Sequence, residues 1–267
     1  ASIASKYSDV EAMQQKALLQ ELMNDKNDKK YDLILKAEKV YSKVSNEIVK
    51  RFGYQSVSEI YDEISIDIIK DYLAQGKCTE INEVLKTSRN ETLLKLIEDE
   101  SIKYAFFECL VESPYEKAYL QIKDTFNKTR DANIYLYLEK MAYNLGLMNE
   151  ASDFSTKVEM VDDQMVLANE FLYRYQIIKQ KSEPIAMERF FTYTNQNPSY
   201  IKANENNPII IDFYYDYYLD LIKGKNKVLA NEILNSLYNK QKALKAFVYS
   251  PFVETELARV AKESNNN

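Results

Sequence analysis

Four glycines and five prolines in 267 residues leave this chain few places to turn sharply. All-β and doubly wound folds need a tight turn at almost every joint, so helices joined by short polar turns remain. The chain punctuates itself at helix starts instead. Four segments fit the capping box, in which a serine hydroxyl accepts from the N3 amide and a glutamate reaches back. They are Ser8 with Glu11, Ser56 with Glu59, Ser88 with Glu91 and Ser113 with Glu116. Proline suits the first helical position because its missing N–H needs no partner there, which marks further starts at Pro114, Pro184, Pro208 and Pro251.

Between these marks the apolar spacing is helical. Leu33, Ala37, Val40, Val44 and Ile48 recur at three and four before Gly53; Ile60, Ile64, Ile68 and Tyr72 do so before Gly76. Tyr135, Leu138, Ala142 and Leu145 line one face before Gly146. The count is about fourteen helices, with the widest irregular gap at Asn195 to Asn207. The class expected is all-α.

The joints recur. Gly76, Val111, Gly146 and Lys181 fall 35 residues apart, and five positions beyond them lie Ile81, Glu116, Ala151 and Ala186. A late joint at Gly224 has Ala230 six residues on. In LYLEKMAYNLGLMNEASDF, Tyr135, Leu138, Leu145-Gly146, Ala151 and Phe154 stand where a repeat of two antiparallel helices puts its aromatic, leucine, turn, close-packing alanine and second aromatic. In EPIAMERFFTYTNQNPSY, Ala186, Phe190 and Pro198 keep the same spacing. The chain here resembles the tetratricopeptide repeat (TPR) family, with its unit of about 34 residues. The likeness is clear over 131–199 and weak over 57–125; Phe154 comes one residue early, and Arg174 and Glu170 depart from the pattern.

The resemblance implies a TPR-like α-solenoid over 56–267, capped by an N-terminal helical hairpin in 1–55. It also implies partner contacts from the first helix of each pair. Carried onto this chain, those positions are Asn133, Lys140, Tyr143 and Asn144, then Phe171, Tyr175 and Lys179. Their Lys and Asn side chains suit a peptide carboxylate or backbone.

Chemistry is scarce. With no histidine, nucleophile–histidine systems, histidine bases and most zinc or iron sites are excluded. No glycine-rich phosphate loop and no calcium loop occur, so no catalytic, cofactor or metal residue is expected. The acidic runs Glu98-Asp99-Glu100 and Asp162-Asp163 read as solvated turns. Cys78 and Cys109 form no CxxC pair and read as free thiols.

A formal charge of −6, with 35 basic and 41 acidic residues spread along the chain, gives nucleic acid no basic footprint. The apolar runs fall far short of the roughly 20 residues that span a bilayer. The expectation is a soluble chain of a bacterial cytoplasm or periplasm. Its Lys, Asn, Ile and Tyr bias points to an AT-rich coding genome, and the opening ASIAS fits a cleaved signal peptide or a cloning remnant.

The function expected is a non-enzymatic scaffold that docks a protein or peptide, within a larger assembly or alone. The alternative is a receptor for a signalling peptide or small ligand. One stretch bears on both: in IIIDFYYDYYLDLIKG, Asp212, Asp216 and Asp220 form a narrow stripe on a helix otherwise apolar and aromatic. Such a helix is packed on two sides, with Tyr215 and Tyr217 nearest the stripe.

Overall fold

Ser56 shows how the local signals become structure. Its hydroxyl accepts from the Glu59 N–H at 3.2 Å, while the Glu59 carboxylate accepts from the Gln55 N–H at 2.6 Å. Both bonds satisfy amides that the first helical turn leaves open. The computed structural model describes the backbone of residues 3–24, 30–181 and 184–265, and the side chains of all of these but 3–8, 30–34, 181 and 184–189. Among the described residues there are helices and no strands.

The order is α1 (Ile3–Asn24), α2 (Lys30–Lys43), α3 (Asn46–Lys50), α4 (Val57–Ala74), α5 (Cys78–Thr87), α6 (Asn90–Glu98), α7 (Lys103–Glu112) and α8 (Glu116–Thr125). Then come α9 (Ala132–Asn144), α10 (Met148–Val161), α11 (Gln164–Lys181), α12 (Pro184–Gln196), α13 (Pro198–Ala203), α14 (Ile209–Lys223), α15 (Lys227–Leu244) and α16 (Ser250–Asn265).

Three expected starts fail. Ser8 lies inside α1, which begins at Ile3. Ser88 closes α5, its hydroxyl donating to the Val84 carbonyl at 2.7 Å, and α6 begins at Asn90 after an extended Arg89, with no side-chain cap. The Ser113 carbonyl and hydroxyl both accept from the Asn82 side-chain amide, at 2.7 and 2.9 Å. Backbone at Tyr115 is extended and α8 starts only at Glu116, leaving Pro114 outside the helix. The starts at Pro184 and Pro208 hold to within a residue, and Pro251 lies in the first turn of α16. The gap at Asn195–Asn207 contains the short helix α13, begun by Asn197-Pro198.

The glycine joints act as helix stops. Gly76 and Gly146 have φ of +66° and +79°. Beyond each, the next N–H returns to a carbonyl five residues back, Lys77 to Tyr72 at 2.9 Å and Leu147 to Ala142 at 2.8 Å. A left-handed residue closing the last turn is what glycine permits without a Cβ clash. At the late joint it is Lys225, with φ +61°, and not Gly224 that takes this position.

The chain forms two units: Ala1–Thr129 with Tyr137–Ala151, and Arg130–Leu136 with Ser152–Asn267. In the first, α2 packs on α1 and α4, and α4 on α5, α6 and α7. Ala37, Val40, Val44, Ile48, Ile60, Ile64 and Ile68 are all buried, as their spacing implies. Leu33 lies outside the described side chains. Ile81 is buried five residues past its joint; at the next joint Glu116 is exposed and Ala118 is buried in its place. Cys78 and Cys109 are not free thiols: they form a disulfide between the start of α5 and α7, with Cα atoms 4.9 Å apart. Packing α5 on α7 brings together two cysteines that no sequence motif pairs.

In the second unit, α11 packs on α12 and α13, α12 on α14, α14 on α15 and α15 on α16. Its core is aromatic. Phe213 of α14 meets Phe171, Tyr175, Phe190 and Phe191 at centroid distances of 5.4, 6.2, 6.0 and 5.5 Å. The joint position Ala151 and the nearby Phe154 are buried; Lys181, Glu183 and Ala186 lie outside the described side chains.

Candidate functional site

One polar bond between helices recurs in both units: a tyrosine hydroxyl donates to a carboxylate about one helix pair away. Tyr119 meets Glu150, Tyr137 meets Glu108, Tyr175 meets Asp216, Tyr193 meets Glu159, Tyr218 meets Glu256 and Tyr249 meets Asp212. The separations run from 29 to 41 residues. Tyrosine suits the task because its ring joins the core while its hydroxyl reaches a charge at the core's rim.

One of these bonds, from Tyr175, falls on an expected partner-binding position, and another, from Tyr137, lies within a turn of the expected Lys140. Within the first unit, the Tyr137 hydroxyl of α9 donates to Glu108 Oε1 of α7 at 2.6 Å. The Tyr104 ring of α7 lies 5.8 Å from the Tyr137 ring. Lys140 sets its ammonium 5.7 Å from the Tyr137 centroid, and Asn144 Nδ2 donates to the Val111 carbonyl at 2.7 Å. Burial, and then the Glu108 carboxylate, push the Tyr137 hydroxyl well above its ordinary pKa, so it stays a donor.

The second unit repeats the arrangement between α11 and α14. Tyr175 donates to Asp216 Oδ2, and Lys179 places Nζ 3.2 Å from the same oxygen and 5.3 Å from the Tyr175 centroid. Burial and Asp216 push the Tyr175 hydroxyl upward in the same sense.

Of the seven expected residues, Lys140 and Asn144 thus share one helix face, and Tyr175 and Lys179 another. Tyr143 is half-buried in the first unit. Asn133 is exposed in the second, its backbone N–H donating to Asp131 Oδ1 at 2.9 Å. Phe171 and Tyr175 are each only 1% exposed, so their rings are occupied in packing α11 on α14. Tyr217 is buried too, whereas Tyr215 is half-buried and stacks on Tyr249 at 3.9 Å. The Asp stripe of α14 accepts tyrosine hydroxyls: Asp212 takes Tyr249 at 2.5 Å, and Asp216 takes Tyr175.

Tyr104, Glu108 and Tyr137 are not among the expected partner-binding positions. A signal was present, since Tyr137 lies three residues before Lys140, within a turn on one helix. Its carboxylate partner is set only by packing. Depressions of about 610 and 520 Å³ lie elsewhere, one beside Gln164 and Lys202, the other beside Asn90 and Glu116. Among the described residues no group of three or more Cys, Asp or Glu is placed to hold a metal, and no helix is long and apolar enough to cross a membrane.

No family model, curated protein or solved structure matches the chain.

Proposed function

We propose that the chain is a non-enzymatic docking module on a TPR-like α-solenoid, taking a protein or peptide along the first helices of its pairs. The observation that carries this reading is the repeated tyrosine–carboxylate–lysine arrangement, Tyr137–Glu108–Lys140 on α7 and α9 and Tyr175–Asp216–Lys179 on α11 and α14. Bonds spanning one helix pair are what stacked pairs produce, because each pair shares its apolar faces with its neighbour. Tyr137, half-buried and pinned at its hydroxyl, loses little further freedom on binding, and an ammonium over a tyrosine ring suits a partner's carboxylate or carbonyl. The absence of histidine from the sequence weighs against most alternatives in catalysis.

The test is affinity capture with the wild-type chain and with K140E/K179E, both lysines being at least partly exposed. Melting curves of the two proteins establish that folding is retained. The expected result is a protein or peptide held by the wild type and lost from the variant. Capture of the same set by both, or of nothing above the control by the wild type, overturns the proposal.

A further inference from the structure

Among the described residues of the second unit Glu170 is the most secluded acid, with 0% exposure among Ser155 of α10, Arg174 of its own helix and Tyr200 of α13. Glu170 Oε1 accepts from Ser155 Oγ at 2.6 Å, and the Arg174 guanidinium stands 3.5 Å away. Glu170 Oε2 contacts the Tyr200 hydroxyl. That same hydroxyl lies 2.9 Å from Glu159 Oε1 of α10.

The proton inventory of this chain is informative. A tyrosine hydroxyl has one hydrogen to donate, and an ionised carboxylate only accepts. Tyr200 therefore satisfies one of its two carboxyl neighbours as a donor. The other faces a lone pair of the tyrosine oxygen, and the contact becomes a hydrogen bond only if that carboxyl brings the proton itself. Glu159 is half-buried and already accepts from Tyr193, with the Asn197 amide at 3.4 Å, so it is well supported as an anion. Glu170 is walled off from water, and its guanidinium neighbour also turns toward the rings of Phe190 and Tyr193, at 5.9 and 5.3 Å. Arg174 offers an ion pair stretched to 3.5 Å, but burying a charge costs several kcal/mol, about the cost at which a carboxyl keeps its proton instead.

We infer that Glu170 is a neutral acid in the folded protein, donating its proton to Tyr200, which in turn donates to the Glu159 carboxylate. The site is a proton-binding relay that ties α10, α11 and α13 together. Among the described residues, the ionisable groups facing it are Glu159 from α10, Arg174 from α11, Tyr193 from α12 and Tyr200 from α13. Burial raises the Glu170 pKa more than Arg174 and the hydroxyls lower it, in agreement with the geometry.

The sign of the pH dependence follows. An acid whose folded pKa is raised contributes stability that is fully present below its unfolded value of 4.5 and lost as pH rises through the folded value. In that window the unfolding constant rises by up to about tenfold per pH unit from this one proton. E170Q removes the proton while its amide can still donate to Tyr200 and accept from Ser155. The unfolding constants of wild type and E170Q, measured in urea across this range, should have a ratio that rises with pH. A ratio that is flat, or that falls as pH rises, refutes the neutral acid.

Infrared spectra of the folded wild type at neutral pH supply a measure that does not depend on the variant folding well. A protonated-carboxyl C=O band, lost when the protein is unfolded at the same pH, supports the assignment. Its absence overturns it.

Discussion

Reducing the Cys78–Cys109 bond perturbs the first unit without changing the amino acids of its core. The bridge closes a loop with a sequence separation of 31. Cross-linking a loop of this length lowers the entropy of the unfolded chain enough to contribute about 3.5 kcal/mol. Both sulfurs belong to buried residues, each 6% exposed, so the ends are already held side by side when folded. Protein purified without reductant and the same protein in dithiothreitol are compared by urea unfolding. With a slope near 3 kcal/mol/M, the midpoint of the transition carrying this unit should fall by about 1 M on reduction. The thermal midpoint should fall by roughly 10 °C at 2–4 °C per kcal/mol. Thiol titration of the unreduced, urea-unfolded chain should find no reactive sulfur. Two free thiols there, or an unchanged midpoint on reduction, refute the reasoning.

Ser56→Ala removes the hydroxyl that accepts from Glu59 and should cost about 1 kcal/mol in urea unfolding. Ser88→Ala should leave the start of α6 unaffected, since that hydroxyl serves the end of α5; amide exchange at α6 distinguishes the two cases. Lys225→Gly relieves a left-handed backbone at φ +61° and should stabilise the α14–α15 joint by about 0.5–1 kcal/mol in the same assay. Burial, and then neighbouring carboxylates, push Tyr137 and Tyr175 above the ordinary 10.0 and Tyr193 up to about 12. These raised values make a stability contribution that is fully present below pH 10 and lost as pH climbs through the folded values. Tyrosinate absorbance of the folded chain should therefore lag that of the urea-unfolded chain above pH 10, and coincident curves would contradict the tyrosine–carboxylate bonds.

Local chemistry explains which features could be read in advance. The glycine stops at Gly76 and Gly146 depend only on a φ that other residues resist, and the burial of Ala37, Val40, Ile60, Ile64 and Ile68 follows from helical spacing. A capping box is less secure, because a serine between two helices can serve either one. Ser88 closes the helix before it and Ser113 accepts from Asn82, although both match the pattern that Ser56 fulfils. Helix α13 was hidden because a cluster of Asn, Pro and Ser reads as loop until Asn197-Pro198 is recognised as a start.

What the sequence determined by itself is the helical class, the main apolar faces and the positions where helices stop. Those depend on interactions within a few residues of one another. Tertiary structure decided the rest: that Cys78 meets Cys109, that Tyr137 finds Glu108, and that Phe171 and Tyr175 turn into the core while Lys140 and Lys179 keep their ammonium groups over tyrosine rings. Each of these joins residues on different helices or selects one face of a helix over another. Helical periodicity gives the stripe, but the neighbour against which it is buried is chosen only when the helices pack.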